Sequence, residues 1–202
     1  MDDLKTYIRE VPDFPKPGIL FYDITTLLQN PLALRQTVDR FVWLFAERHI
    51  DKVVGIESRG FMFGPIVAYN LNAGFVPVRK PGKLPYLKVR ESYDLEYGSD
   101  AVEMHQDAVA RGERVLIVDD LIATGGTARA TARLVESQGA TVAGLGFIVE
   151  LTFLPGRASL SGYDVASLIQ YCSAGRARRS TPARQTDCIR PVSPPAVYGQ
   201  DV

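Results

Sequence analysis

The sequence predicts an α/β fold, a mainly parallel sheet flanked by helices, and three observations carry that prediction. Short apolar, β-branched runs alternate with stretches of helical spacing along the chain. The run Arg114-Val115-Leu116-Ile117-Val118 is the strongest strand signal in the chain. It is followed by a Gly-rich turn, Ala123–Thr127, and by helical spacing over 128–138, the strand–turn–helix order of such sheets.

The other elements follow in chain order. Leu4, Tyr7, Ile8 and Val11 recur at helical spacing, which predicts a helix over 4–11. Pro12, Pro15 and Pro17 then hold the backbone extended or turned. From Pro31 to His49 apolar residues recur at three and four, an amphipathic helix with Asn30 as its N-cap and Pro31 in its first position. Residues 52–56 read as a buried strand, Gly60 to Leu71 as a helix, and 75–79 as another strand. The stretch 81–100, rich in Gly, Pro, Tyr and charge, reads as a long mobile excursion with hairpin character. Strands are expected over 141–149 and near 164–169. The expected domain spans 1–172. Beyond it, 173–202 carries Arg, Pro and Ser without apolar periodicity and is expected to be a disordered tail.

Composition narrows the function classes. Hydrophobic residues make up 46% of 202, enough for a sizeable core. Lys+Arg and Asp+Glu both number 23, so a global electrostatic grip on nucleic acid or an anionic membrane is not expected. No apolar run approaches the ~20 residues of a membrane span, and the acidic N-terminus does not read as a secretory signal. Two Cys and two His argue against a disulfide framework or a Cys- or His-rich metal centre and point to a reducing, cytoplasmic compartment.

The chemistry sits in Val115–Thr127. An apolar strand delivers two adjacent carboxylates, Asp119 and Asp120, to the sheet edge where ligands bind in open α/β folds. The turn that follows suits a phosphate. Gly125 and Gly126 open backbone N–H groups, Thr124 and Thr127 offer hydroxyls, and a helix N-terminus lies behind them. Neither Gly-Lys-Ser/Thr nor Gly-x-Gly-x-x-Gly is present in this turn. Two acids would repel a phosphate that met them directly. They suit hydroxyls, a cation or a cationic transition state, so a ribose 5-phosphate fits the block, with its phosphate in the turn and its diol on the acids.

This block resembles the phosphoribosyl-diphosphate (PRPP) motif of the type I phosphoribosyltransferases. Four further segments resemble the adenine-specific branch of that family: Asp13–Phe21 its N-terminal base-binding segment, Glu57–Gly64 with Arg79–Pro85 its diphosphate loops, and Tyr93–Gly98 its flexible hood. The resemblance covers roughly residues 4–171. It implies transfer of the phosphoribosyl group of PRPP to adenine, giving AMP and diphosphate in purine salvage. Two alternatives stay open: use of another base, or a non-catalytic PRPP-binding regulator.

Residue by residue, the resemblance implies catalytic roles for Glu96, Asp119 and Asp120. It implies PRPP contacts from Arg59, Arg79, Lys80, Lys83, Asp119, Asp120, Ala123, Thr124, Gly125, Gly126 and Thr127. Leu20, Phe21 and Leu151 would hold adenine, Leu20 through its backbone. Mg²⁺ is expected on PRPP itself, with no dedicated metal ligands in the chain. A homodimer is implied, with neither nucleic acid nor membrane as partner. Tyr22 departs from the family pattern, which has Arg there, near the diphosphate; a Tyr would donate one hydrogen bond and carry no charge.

Overall fold

The computed structural model describes residues 3–94 and 98–173. Its centre is a five-stranded sheet of β3 (Lys52–Ile56), β4 (Gly74–Val78), β7 (Arg114–Ile122), β8 (Thr141–Leu151) and β9 (Val165–Tyr171). The spatial order is β4-β3-β7-β8-β9, and every pairing is parallel. Two antiparallel hairpins flank it. One joins β1 (Arg9–Pro12) to β2 (Leu20–Asp23), the other β5 (Lys88–Asp94) to β6 (Ser99–His105).

Alternation along the central strands sorts side chains to two faces. Val53, Leu116 and Val118 join one apolar cluster with Phe41 and Phe45, while Val54, Val115 and Ile117 join a second with Leu134 and Val135. Both faces are therefore buried, which is why β7 reads as an unbroken apolar run. On the first face α2 (Pro31–Phe45) lies against β8. Ideal Cβ atoms at Gly144 and Gly146 would come within 2.7 Å of Phe45 and 2.8 Å of Phe41, so the two glycines leave flat ground for the two rings. Asn30 caps α2 as expected, its side chain accepting from the N–H of Leu32 and of Ala33 at 3.0 Å.

Two helical expectations are corrected. Residues 4–11 form a 3₁₀ turn, Leu4–Tyr7, followed by strand β1. Val11 precedes a proline, which disfavours helical geometry, and it pairs across the hairpin with Phe21. Leu4 and Ile8 are buried all the same, which is how their spacing imitated a helix. The expected helix from Gly60 to Leu71 is broken into a 3₁₀ turn, Arg59–Met62, and α3 (Gly64–Asn70). Pro65 lacks an N–H and suits only the first turn of a helix, so α3 restarts around it. The spacing also missed α1 (Thr25–Gln29). The excursion after residue 81 does contain a hairpin, and β6 is stitched to the main sheet by an Arg79–Glu103 bridge. Among the described residues no helix is long and apolar enough to cross a membrane.

The strand order positions the site. The chain runs outward from β3 to β4, then returns to β7 and continues through β8 to β9 on the other side. The order thus reverses between β3 and β7, and the crevice beyond their carboxyl ends is where such sheets take ligands.

Candidate active site

Beyond that switch point lies a cleft of about 310 Å³ walled by Glu57, Ser58, Arg59, Lys80, Asp119, Asp120 and Thr127, among others. Pairing between β3 and β7 stops at Gly55–Val118, so Asp119 and Asp120 extend past β3 into the gap. The turn after β3 fills the space beneath them. An ideal Cβ on Gly60 would sit 2.7 Å from the Val118 carbonyl and 3.1 Å from Asp119 Oδ1, so only a glycine lets this turn approach.

Arg59 lies between the acids and the N-terminal hairpin. Its Nε is 2.9 Å from Asp120 Oδ2, and its guanidinium stands 5.2 Å from the Phe21 ring centre. The ion pair is close but misaligned: Arg59 Nη1 and Asp120 Oδ2 are buried without hydrogen-bond partners. Asp119 Oδ1 accepts from the Asp120 N–H at 2.9 Å. Asp119 still faces the cleft along one side, but protein surrounds the rest. Desolvation, with the neighbouring Asp120 charge added, pushes its carboxyl well above the ordinary range. Burial also raises Asp120, although Arg59 pulls against the shift. Two crowded acids therefore favour holding a proton, and a positive group entering the cleft restores their charge.

The turn borders a smaller cleft of about 110 Å³, lined by Ala123, Thr124, Gly125, Gly126 and Thr127 together with Phe147 and others. Gly125, at φ 80°, is the residue from which α4 (Gly126–Ser137) starts. Asp119, Leu121 and Thr127 border both clefts, so acids and turn make one continuous surface.

Of the four basic candidates, Arg59 and Lys80 line the main cleft, whereas Arg79 and Lys83 do not. Arg79 is spent on Glu57, which accepts from its Nε at 3.1 Å and also from the Lys80 N–H at 3.1 Å. Burial raises Glu57, but these hydrogen bonds outweigh it and leave the carboxyl below its usual range. Lys83 supplies its backbone carbonyl to Arg79 Nη1 at 3.1 Å. Lys80 Nζ donates to Asp100 and, at 3.1 Å, to Tyr93 Oη, tying the cleft to the β5–β6 hairpin. Glu103 is buried and accepts from the Gly82 N–H at 3.0 Å, anchoring the basic loop from below. Sequence reasoning quoted Glu57 and Ser58 inside a motif without a role, and it missed Asp100 and Glu103 altogether. A lone carboxylate within the apolar run Ala101-Val102-Glu103-Met104 was the available signal.

Tyr22 does not meet the diphosphate side. It is buried, its ring centre 4.1 Å from that of Tyr171, and its place in the strand turns it into the core. The expected hydrogen bond from Tyr22 is therefore set aside. Leu151 is buried in the apolar cluster against which Leu20 packs. Phe21 stays half-exposed between Arg59 and Phe14, whose ring centre is 5.1 Å away. Glu96 and Tyr97 lie outside the described residues.

Comparison with known proteins agrees with this geometry. The profile of the Phosphoribosyl transferase domain matches residues 23–153, well over half of the chain. The adenine phosphoribosyltransferase of Solibacter usitatus is 62% identical over 171 residues, which cover 85% of this chain and 99% of that protein. The chain belongs to the phosphoribosyltransferase family, in its adenine phosphoribosyltransferase branch. Solved structures agree on the fold. The adenine phosphoribosyltransferase of Thermoanaerobacter pseudethanolicus superposes with a TM-score of 0.81 at 52% identity, covering 83% of this chain and 98% of that one. The Saccharomyces cerevisiae enzyme, solved with an imino-altritol bisphosphate and adenine, gives 0.77 at 44% identity, covering 82% and 96%. The fold of this branch accounts for both halves of the site: a parallel sheet presents the acids and the turn, and separate hairpins stand over them.

Proposed function

We infer that this protein transfers the 5-phosphoribosyl group of PRPP to adenine, giving AMP and diphosphate. The observation that carries the reading is the continuity of the cleft: two raised carboxylates at the end of β7 border, on one surface, a Gly-rich turn opening a helix. The 5-phosphate sits on the N–H groups of residues 123–127, where donors and helix dipole favour an anion. The ribose hydroxyls face Asp119 and Asp120. Arg59 and Lys80 meet the diphosphate, with Arg79 and Lys83 shaping the loop beside it. Adenine lies against Phe21 and Leu151, its edge read by the backbone at Leu20.

In the reaction the bond from the ribose anomeric carbon to the diphosphate oxygen breaks, a bond to the purine nitrogen forms, and that nitrogen loses a proton. Positive charge grows on the sugar as diphosphate leaves. Carboxylates beside it bind this charge more strongly than the neutral ground state, which is the condition for lowering a barrier. Glu96, on the hood, shares or takes the purine proton. Closure of the hood keeps water from the activated sugar.

Mg²⁺ would be carried by the diphosphate and hydroxyl oxygens of PRPP, with water completing the shell, so the chain supplies no dedicated ligands. Bound with PRPP, it would offset the negative charge of the diphosphate. Residues 1–172 form the catalytic domain, and 173–202 are dispensable for it. The enzyme works in the cytoplasm as a homodimer, as the resemblance to its family implies.

The test is AMP formation by purified protein with PRPP and Mg²⁺, compared across adenine, guanine, hypoxanthine and orotate. Adenine should be strongly preferred, because a site built for one donor pattern leaves groups unpaired with the other. Equal use of hypoxanthine would overturn the base assignment.

A further inference from the structure

An ionic cluster centred on one buried carboxylate lies behind the Gly-rich turn, away from both clefts. Glu150, near the end of β8, is 3% exposed. It accepts from Arg157 Nε at 2.7 Å and Nη2 at 2.5 Å, from Gln170 Nε2 at 3.2 Å and from Ser167 Oγ. Arg157 Nη1 donates in addition to the Val165 carbonyl at 3.0 Å. One guanidinium thus ties the short helix α5 (Gly156–Ser159) to β8 and β9.

That helix is in backbone contact with the turn. An ideal Cβ on Gly156 would fall 2.4 Å from the Ala123 carbonyl oxygen, and one on Gly125 2.7 Å from the Gly156 carbonyl oxygen. The two segments pack glycine against backbone, with Ile122 and Ser159 closing in beside the contact. Where α5 sits, the turn must sit.

We propose that Arg157 and Glu150 are positioning residues for the phosphate turn: the fork between them fixes α5, and α5 fixes the N–H groups of residues 123–127. The inference rests on the assignment of that turn to the 5-phosphate. The fork matters because a guanidinium holds a carboxylate at two points and fixes orientation, which an ammonium does not. Binding sites hold their geometry through such supporting contacts.

The experiment is calorimetric titration of the full-length protein with AMP, which carries the 5-phosphate, and separately with inorganic diphosphate and Mg²⁺. The variants are Arg157→Lys, Glu150→Gln and the milder Ser167→Ala. Arg48→Gln serves as control, because it removes an ion pair with Asp164 at the amino end of β9 and leaves the fork between Arg157 and Glu150 in place. Arg157→Lys should weaken AMP about tenfold, short of the ~100-fold that a 1 Å misplacement can cost. Ser167→Ala should weaken AMP less. Diphosphate affinity should stay within about twofold throughout, since its residues lie on other loops. Arg48→Gln should lower the melting temperature and move neither affinity. Wild-type AMP affinity in Arg157→Lys and Ser167→Ala would overturn the proposal. So would equal weakening of both ligands, the mark of general loosening. Failure of the wild-type protein to bind AMP would instead overturn the assignment of the turn, and the proposal with it.

Discussion

Gly60→Ala adds one methyl group at the point where the turn after β3 meets β7. The new carbon would lie 2.7 Å from the Val118 carbonyl oxygen and 3.1 Å from Asp119 Oδ1. The first neighbour is backbone in the central strand and cannot rotate away. Reaching ordinary contact at 3.4 Å requires a shift of about 0.7 Å, shared between the turn and the strand end. Overpacking of this kind costs about 1–3 kcal/mol. At ~2–4 °C per kcal/mol for a chain of this size, the melting temperature should fall by roughly 2–12 °C. The shift falls on the segments carrying Arg59 and Asp119, so turnover should fall about 10–100-fold, scaled from the ~100-fold cost of a 1 Å misplacement. Urea unfolding and single-turnover AMP formation read the two effects separately. Gly74→Ala is the matched control: there the methyl meets only the Lys52 side chain, which can swing aside. Wild-type stability and rate in Gly60→Ala would refute the claim that this contact sets the acid pair.

Three further outcomes follow from the same geometry. Because burial raises Asp119 in the folded state, the folded protein binds more protons there than the unfolded chain, and its stability drains away as pH rises through the raised value. Asp119→Asn should therefore be more stable than wild type at pH 8, with the advantage shrinking toward pH 5, as read by thermal melts; an advantage that grew on acidification would contradict the assignment. Truncation after Ser173 should leave the melting temperature within about 2 °C and activity nearly intact, since homology to the Solibacter usitatus enzyme spans 171 residues; a loss of several degrees would show that the tail docks. Glu96→Gln should slow single-turnover AMP formation by ~10²–10⁴-fold if that residue handles the purine proton; an unchanged rate would reject the role.

What the sequence disclosed and what it hid have physical causes. The run at 114–118 was legible because a strand buried on both faces needs no alternation. The start of α2 was legible because Asn30 and Pro31 act locally on the backbone. The N-terminal hairpin was hidden because Leu4 and Ile8 are buried in the fold while following a helical spacing. Helix α1, five residues long, is too short to show a period. In the site, the acids and the turn are contiguous in sequence and could be read together. The ties of Arg79 to Glu57 and of Lys80 to Asp100 join residues 22 and 20 positions apart, and no local pattern records them. For the same reason the hold of Glu57 on the Arg79 guanidinium was not legible in the sequence.

The claim at the centre of this account is that the acids at the end of β7 act on the positive charge that develops as diphosphate departs. Replacing both Asp119 and Asp120 by Asn keeps their size and hydrogen-bonding reach and removes their charge. The decisive measurement is the single-turnover rate of AMP formation in that double variant at saturating adenine and Mg²⁺, over a range of PRPP that also yields the dissociation constant. The rate should fall by about 10²–10³-fold, the usual cost of losing a charge-stabilising group, while PRPP affinity changes only a few-fold. A wild-type rate with weakened PRPP binding would show instead that the acids do no more than hold the ribose.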